Sequence, residues 1–348
     1  MEVWYGAEQV PEELRDPAGP GSVVALGVFD GVHRGHRAVL ARLVARANNI
    51  AAREPARPRP RAVAVTFDPH PARVHHPGQH LPMVASLADR LSLLATTGLD
   101  AVLVVHYTLD FADQSAADFV RTWLEGLLGA RAVVVGDDVR FGRGNEGDAH
   151  TLEAIGAQDG LEVEIVCDVL APSGRRWSST WVRQLLEEGD VAGAAEVLGR
   201  PHRLRGTVVH GLKRGREIGF PTANLQAATA GVVPPDGVYA GWLVRSPGSG
   251  EEGGPGEERL PAAVSIGTNP TFDDVPERVV EAHVLGRTDL DLYGEVVGIE
   301  LVERLRPMLA FDSLEPLLER MRQDVAETAA VLGVPVPGPL RPEDVTAA

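Results

Sequence analysis

Residues 27–36 read GVFDGVHRGH, and this segment decides the fold of the first half of the chain. It continues the apolar run 23–28, which predicts a buried strand, and Asp30 and Gly31 end that strand with turn residues. After Gly35, apolar residues recur at helical spacing, at Val39, Leu40, Leu43 and Val44. A strand, a glycine-rich turn and a helix in this order direct backbone N–H groups at a bound phosphate.

Two histidines, His33 and His36, stand in the turn and at the start of the predicted helix. They could donate hydrogen bonds to a phosphate as negative charge builds on it. The alternative is a polar turn with two solvated histidines, but the surrounding pattern favours a nucleotide site. We therefore predict His33 and His36 as catalytic. The residues predicted to bind the nucleotide here are Gly27, Phe29, Asp30, Gly31 and Gly35.

Composition bounds the class of protein. The 348 residues suit two domains, and a formal charge of −16 argues against a general binder of nucleic acid or anionic membranes. Cys167 is the only cysteine, which excludes an internal disulfide, and we expect it to be buried in a strand. Lys213 is the only lysine, so no Walker A loop is present. Without a secretory signal pattern or an apolar run of about 20 residues, we expect a cytoplasmic protein.

The first half alternates apolar strand patterns with helical ones. Predicted strands cover residues 23–28, 62–67, 101–107, 132–136 and 161–167, and predicted helices cover 37–49, 87–96, 115–128 and 149–158. Strict alternation predicts an α/β domain with a Rossmann-like parallel sheet. Ligands of such sheets bind at the carboxyl ends of the strands, so the loops there are the candidate site.

Three of these loops are rich in polar residues. Residues 66–71 read TFDPHP, and residues 136–148 read GDDVRFGRGNEGD. Residues 175–183 read RRWSSTWVR, in which hydroxyls followed by an arginine about one turn later could clamp a phosphate at a helix start. A turn with a capping Asp is the simpler reading of the first loop, and a serine N-cap that of the third.

The second half changes character after residue 201. Strand patterns separated by Gly, Pro and Asn turns continue to residue 312 and predict a β-barrel or sandwich. Residues 313–332 then predict one amphipathic helix packed on it.

Residues 206–225, GTVVHGLKRGREIGFPTANL, are the most informative part of this half. Thr222 and Asn224 offer two neutral oxygen ligands on the same side of a strand, the type of ligand that Mg²⁺ prefers. A basic hairpin with a polar end is the alternative. The glycines and basic residues could form an anion-binding nest, and those predicted to bind the nucleotide are Gly206, Gly211, Lys213, Arg216 and Gly219.

These motifs together resemble one known family. GVFDGVHRGH resembles the HxGH signature of nucleotidyltransferases in the extended form found in bacterial bifunctional riboflavin kinase/FAD synthetases, and TFDPHP and SSTxxR are similar to further motifs of that family. Residues 206–225 resemble its riboflavin kinase signature, and Glu281 stands where its catalytic glutamate falls.

The resemblance implies a chain with two activities. Residues 1–185 would form the FMN adenylyltransferase domain, 186–200 a connecting helix, 201–335 the riboflavin kinase barrel, and 336–348 a disordered tail. Its substrates and products would be riboflavin, FMN, ATP and FAD, with Mg²⁺ and no nucleic acid or membrane; a homo-oligomer is left open. The residue roles that it implies are phosphate binding at Ser179, Thr180 and Arg183, flavin binding at Asp68, Asp138 and Arg140, magnesium ligation at Thr222 and Asn224, and the base at Glu281.

Two other interpretations compete with this one. In the nearer one, only one module is active and the other is retained for binding or regulation. In the more distant one, the chain is a non-enzymatic flavin or nucleotide sensor, with RNA as one candidate target. The charge of −16 argues against RNA.

Overall fold

The computed structural model describes residues 1–79, 81–210, 218–226, 231–245, 257–268 and 278–338. Contacts between residues divide the chain into two compact units. The first unit comprises Met1–Pro82 and Leu87–Ser178, and the second comprises Met83–Ser86 and the chain from Ser179 onward. The predicted domain bounds at residues 185, 200 and 335 remain predictions.

The first unit is built on a six-stranded parallel sheet in the order β1-β4-β3-β2-β5-β6, which confirms the predicted α/β class. Its strands are β1 (Glu2–Tyr5), β2 (Ser22–Leu26), β3 (Arg61–Asp68), β4 (Ala101–His106), β5 (Ala130–Gly136) and β6 (Glu162–Val166). The order reverses at β2, whose neighbours are β3 and β5. The loop that follows β2 therefore lies at the switch point where such sheets bind ligands.

Helices cover both faces of this sheet. They are α1 (Arg34–Arg53), α2 (Pro71–His75), α3 (Leu87–Ala95), α4 (Leu109–Ala112), α5 (Ala116–Phe119) and α6 (Ala149–Asp159). Successive residues of β2 contribute to two separate cores, one on each face, as the two-residue period of a strand requires. On α1 the buried residues recur at helical spacing, at Leu40, Leu43, Ala47 and Ile50.

The structure corrects two expectations about this unit. The stretch predicted as one helix from 115 to 128 begins as α5 and continues as a π-helix, Val120–Leu127. Cys167 is exposed, because β6 ends one residue earlier, at Val166. The edge strand β1 was absent from the prediction, because four residues of which only Trp4 is buried show no recognisable apolar period.

The second unit is a closed antiparallel barrel with helices α7 (Ser179–Glu188) and α8 (Val191–Leu198) before it. The barrel order is β10-β11-β8-β7-β12-β9, so the predicted alternative of a sandwich is wrong. Its strands are β7 (His202–Val209), β8 (Ala223–Leu225), β9 (Gly237–Arg245), β10 (Glu258–Thr268), β11 (Arg278–Val284) and β12 (Val296–Arg306). The predicted C-terminal helix is confirmed as α9 (Leu314–Leu332).

Helix α9 is fastened to the barrel by apolar and ionic contacts. Val325 and Ala329 pack against Leu285, which follows β11. Asp324 is buried and accepts two hydrogen bonds from Arg306, at 2.6 and 2.8 Å. Of the predicted tail, residues 339–348 lie outside the described residues. Across the described part of the chain, no helix combines the length and apolar character needed to cross a bilayer.

Candidate active sites

The loop after β2 has an unusual backbone. Phe29, Gly31 and Val32 have positive φ angles of 55°, 75° and 40°. Positive φ is costly for residues with a side chain, above all a β-branched one, so the surroundings must enforce it. Phe29 is 2% exposed and Val32 is fully buried, so packing holds both residues in place.

His33 is the N-cap of α1, and its ring stacks on that of His36. The ring centroids are 3.6 Å apart, and the ring planes differ by 20°. The backbone N–H of His36 donates to His33 Nδ1 at 3.3 Å. An Nδ1 that accepts a hydrogen bond leaves the ring proton of neutral His33 on Nε2. Burial, together with the nearby His33, lowers the pKa of His36 well below its ordinary value, so His36 is neutral near pH 7.

Two glycines lack the side chain that would crowd the rings of His33 and Phe29. A Cβ atom on Gly35 would lie 3.1 Å from His33 Cε1 and 3.2 Å from the Trp177 carbonyl oxygen. A Cβ atom on Gly27 would lie 3.1 Å from the ring of Phe29. The Phe29 ring in turn meets His36 edge-on, with centroids 5.3 Å apart. Gly27, Phe29 and Gly35 therefore shape the loop and orient the histidines.

Asp30 and Gly31 complete the predicted nucleotide residues of this loop. Asp30 is 2% exposed, and the positive φ of Gly31 suits the turn. The loop leads directly into the N-terminus of α1, whose partial positive charge favours a bound anion. Backbone amides and two stacked imidazole rings thus meet at one end of the sheet.

The end of the neighbouring strand β3 carries Asp68, whose side chain is half exposed. Arg90 on α3 lies beside it and is only 2% exposed. It was not among the site residues predicted from the sequence. Its guanidinium donates to the carbonyl oxygens of Val28 at 3.0 Å and Phe67 at 3.1 Å. A lone arginine in an amphipathic pattern is typical of a solvated helix face, so the sequence carries no signal of this burial.

The predicted flavin residues of the loop at 136–148, Asp138 and Arg140, are exposed. Asp138 forms an ion pair with Arg176 at 2.9 Å, and Arg176 also lies 3.5 Å from Asp168. Burial and the charges of Asp137 and Asp138 raise the pKa of Asp168, against the opposing effect of Arg176. Arg140 is exposed and donates to the Val139 carbonyl oxygen at 2.7 Å. The flavin roles of Asp68, Asp138 and Arg140 remain predictions.

Ser179, Thr180 and Arg183 lie in the first turns of α7, where Ser179 is the first helical residue. Helix α7 belongs to the second unit. The predicted role of these three residues in binding phosphates remains a prediction.

The barrel brings together the three residues predicted for a phosphoryl-transfer site. Asn224 lies on β8, and its Nδ2 is 3.3 Å from Thr222 Oγ1. Glu281 on β11 is directly opposite Asn224, so the two side chains share one face of the sheet. Burial raises the pKa of Glu281, the change that suits a general base.

The chain before Thr222 is held by a buried histidine. His283, two residues after Glu281, donates from Nδ1 to the Pro221 carbonyl oxygen at 2.9 Å, since a carbonyl can only accept. Its ring also contacts that of Phe220, with centroids 5.2 Å apart. The strand β11 therefore supplies both the carboxylate and the contact that fixes the opposite segment.

A pocket opens next to Thr222. It is lined by Val208, Pro221, Thr222, Ala223, Ala282, Val284, Arg287, Thr288, Leu290, Leu292 and Tyr293. At its margin the rings of His210 and Tyr293 lie 3.9 Å apart. This mixture of apolar walls, an aromatic ring and an arginine suits a nucleotide.

The glycines predicted to bind the nucleotide in this unit are only partly described. A Cβ atom on Gly206 would lie 3.1 Å from the Leu225 side chain, and Gly219 has a φ of 85°. Gly211, Lys213 and Arg216 lie outside the described residues.

Comparisons with known proteins match both units. A family model described as FAD synthetase matches residues 16–181, and one described as riboflavin kinase matches residues 198–332. The bifunctional riboflavin kinase/FMN adenylyltransferase of Escherichia coli K12 is 34% identical over 334 residues, covering 96% of this chain and 97% of the relative. The enzyme of the same description from Listeria monocytogenes is 36% identical over 309 residues, which cover 88% of this chain and 91% of the relative.

A solved structure shares the fold. A crystal structure described as a macrolide-efflux protein from Streptococcus pneumoniae aligns with a TM-score of 0.77 at 30% identity, covering 94% of this chain and 99% of that one. The family models and the relatives agree. The chain belongs to the bifunctional riboflavin kinase/FMN adenylyltransferase family, and it is an enzyme with both activities, which produce FMN and FAD.

Proposed function

We propose that the histidine pair of the first unit and the carboxylate site of the second unit serve the two reactions separately. His33 and His36 serve the transfer of AMP from ATP to FMN, and Glu281, Thr222 and Asn224 serve the phosphorylation of riboflavin. The observation that supports this division most strongly is that each set is assembled within a single unit: the histidines stack at 3.6 Å, and Asn224 faces Glu281 in the barrel.

The adenylyl transfer requires charge stabilisation more than proton removal. An FMN phosphate oxygen attacks the α-phosphorus of ATP, and pyrophosphate leaves. The attacking phosphate is already ionised near pH 7, so no base is needed. Neutral His33, with its proton on Nε2, donates to the phosphate oxygens as charge builds on them, and the N-terminus of α1 adds its partial positive charge.

Gly35→Ala is expected to reduce the kcat of FAD formation by about 100-fold and to leave FMN formation unchanged. The added Cβ would meet His33 Cε1 at 3.1 Å and the Trp177 carbonyl oxygen at 3.2 Å, so the ring or the backbone must move. A misplacement of about 1 Å in a catalytic group costs about this factor. Steady-state assays with FMN and ATP measure it, with Gly78→Ala as a control, because nothing lies within 4 Å of the added Cβ atom there and Gly78 does not have a positive φ. A Gly35→Ala variant with the parent's kcat would contradict the prediction.

The kinase reaction does require a base. The 5′-hydroxyl of riboflavin attacks the γ-phosphorus of ATP, ADP leaves, and the hydroxyl proton must go to an acceptor. Glu281 is the carboxylate placed for this, and its raised pKa brings its basicity closer to neutral pH. When bound, Mg²⁺ would neutralise charge on the ATP phosphates. Thr222 and Asn224 fit this ion, because each offers a neutral side-chain oxygen as a ligand. The two side chains are neighbours, with Asn224 Nδ2 3.3 Å from Thr222 Oγ1.

An apolar surface lies on the same face as Glu281. Ser265 is opposite Glu281 on β10, and its Oγ is 3.9 Å from the sulfur of Met308. Met308 is 46% exposed and Leu309 is 49% exposed. Large exposed apolar side chains beside a catalytic carboxylate suit a flat aromatic substrate, so we assign this surface to the flavin ring.

The kinase activity is expected to fall on acidification at a pH above the ordinary glutamate pKa of 4.5. Because burial raises the pKa of Glu281, the ionised base forms only above that raised pKa and is lost as the pH falls through it. A profile of kcat/KM for riboflavin from about pH 5 to 8 measures this. The same profile is measured for Glu281→Gln. Because ATP titrates identically in the assays of the parent and of this variant, a difference between the two profiles reports the titration of Glu281. Identical profile shapes would contradict the assignment.

The division of labour is tested by separating the flavins made in two incubations. Riboflavin, ATP and Mg²⁺ should give FMN and FAD, and FMN, ATP and Mg²⁺ should give FAD. FMN alone in the first incubation, with no FAD in the second, would leave the histidine site without its reaction and favour a chain with one active module. The cytoplasmic location, the homo-oligomer and the magnesium requirement remain predictions.

A further inference from the structure

We propose that Arg90 is a positioning residue for adenylyl transfer, acting through the carbonyl group from which the histidine loop starts. The inference rests on the proposed reaction of the first unit and extends it to a residue that touches neither His33 nor His36 in the described contacts. Arg90 is among the largest fully buried side chains of the protein, and it lies on α3 at the carboxyl ends of two central strands.

The guanidinium of Arg90 contacts two backbone carbonyl groups. Nη1 donates to the Val28 carbonyl oxygen at 3.0 Å, and Nη2 donates to the Phe67 carbonyl oxygen at 3.1 Å. Nη2 also lies 3.6 Å from Asp68 Oδ1. One planar group thus joins the loop after β2 to the end of β3, the two segments with the GVFDGVHRGH and TFDPHP motifs.

Burial of the Arg90 guanidinium costs free energy. A buried cation is expensive unless its donors are satisfied, and Arg90 Nε has no hydrogen-bond partner. Burial lowers the pKa of Arg90, and the charges of Asp68 and Asp30 offset part of that effect. An apolar side chain could fill the same space without this penalty. Packing alone therefore does not explain an arginine here.

The Val28 carbonyl group lies at the start of the loop that carries the histidines. Val28 precedes Phe29, the first of the positive-φ residues in the loop that ends at His33. This carbonyl accepts from Arg90 and also from Thr66 Oγ1, at 2.9 Å. A strained loop keeps its conformation only where its ends are fixed. Arg90 fixes the start of the loop, and the His33 cap on α1 fixes its end.

The test compares Arg90→Met, Arg90→Lys and the control Arg121→Met. Methionine fills much of the volume without donors, whereas lysine keeps the charge and donors. Arg121 is half exposed and pairs with Asp159 at 2.8 Å, so its loss removes an arginine ion pair away from the loop. The kcat and KM for FMN and ATP are measured in FAD formation, and riboflavin phosphorylation by the same samples normalises the amount of active chain.

We expect Arg90→Met to lower the kcat of FAD formation about 100-fold, equal to about 2.7 kcal/mol of activation free energy, with KM values within threefold. Arg90→Lys should recover at least tenfold of that loss, and Arg121→Met should match the parent. A residue that only packs would give the reverse order, with methionine at least as active as lysine. Either that order or a kcat of Arg90→Met within threefold of the parent overturns the proposal.

If circular dichroism shows that Arg90→Met does not fold, Thr66→Val is measured in its place, because it removes the other donor to Val28 with little change of shape. A loss of kcat of threefold or more at unchanged KM supports the proposal, and an unchanged kcat overturns it. A parent chain that makes no FAD would overturn the proposed reaction itself, which the parent assay shows independently of the variants.

Discussion

His33→Ala is expected to reduce FAD formation from FMN by about 1,000-fold while riboflavin phosphorylation stays at the parent rate. Loss of a single donor to charge that develops in a transition state costs about 100- to 1,000-fold. His33 in addition caps α1 and stacks on His36 at 3.6 Å, so the alanine variant also loosens the second histidine. The kcat for FAD formation measures the effect.

A second substitution separates the chemical from the structural role of this residue. Asparagine is a good N-cap, so His33→Asn keeps a cap for α1 but lacks the Nε2 proton. We expect it to be nearly as inactive as His33→Ala, because the donor is missing in both. His150→Ala, which removes an exposed histidine on α6, should match the parent. If His33→Asn makes FAD at the parent rate, His33 is a cap and has no catalytic role.

Glu281→Gln is expected to have the opposite effect and to reduce FMN formation by about 1,000-fold. Glutamine has the shape of glutamate but cannot accept the proton of the riboflavin hydroxyl, and general base catalysis contributes about 100- to 10,000-fold. The side chain is partly buried opposite Asn224, so no bulk buffer base is expected to replace it readily. Adenylylation of added FMN should be unchanged.

The control for this variant is Glu319→Gln, which changes an exposed glutamate on α9 paired with Arg322 at 3.5 Å. It should phosphorylate riboflavin at the parent rate. A Glu281→Gln variant that folds and keeps more than a tenth of the parent activity would show that another group accepts the proton.

Local sequence patterns were enough to predict most of the fold and the residues of the first candidate site. The strand, turn and helix around His33 depend on neighbours in the chain, and the continuous apolar run of β2 indicates its burial on both faces. In the barrel, Thr222 and Asn224 are two residues apart, so their shared orientation follows from strand geometry alone. The opposition of Asn224 and Glu281 depends on strand pairing, and only the family resemblance indicated Glu281.

The features that could not be predicted from the sequence depend on contacts between residues far apart in the chain. Arg90 contacts Val28 and Phe67, which are 62 and 23 positions away, so its burial leaves no local signature. The pairing of Asp138 with Arg176 likewise joins two loops. The exposure of Cys167 was missed because a strand end cannot be read to within one residue from an apolar run.

The most direct test of two independent sites is a mixing experiment. His33→Ala and Glu281→Gln are each incubated with riboflavin, ATP and Mg²⁺, alone and together, and the flavins are separated. We expect FMN from the first variant, no product from the second, and FAD from the mixture, because FMN made by one chain is adenylylated by the other. A mixture that accumulates FMN without FAD, or a folded variant that lacks both activities, would contradict it.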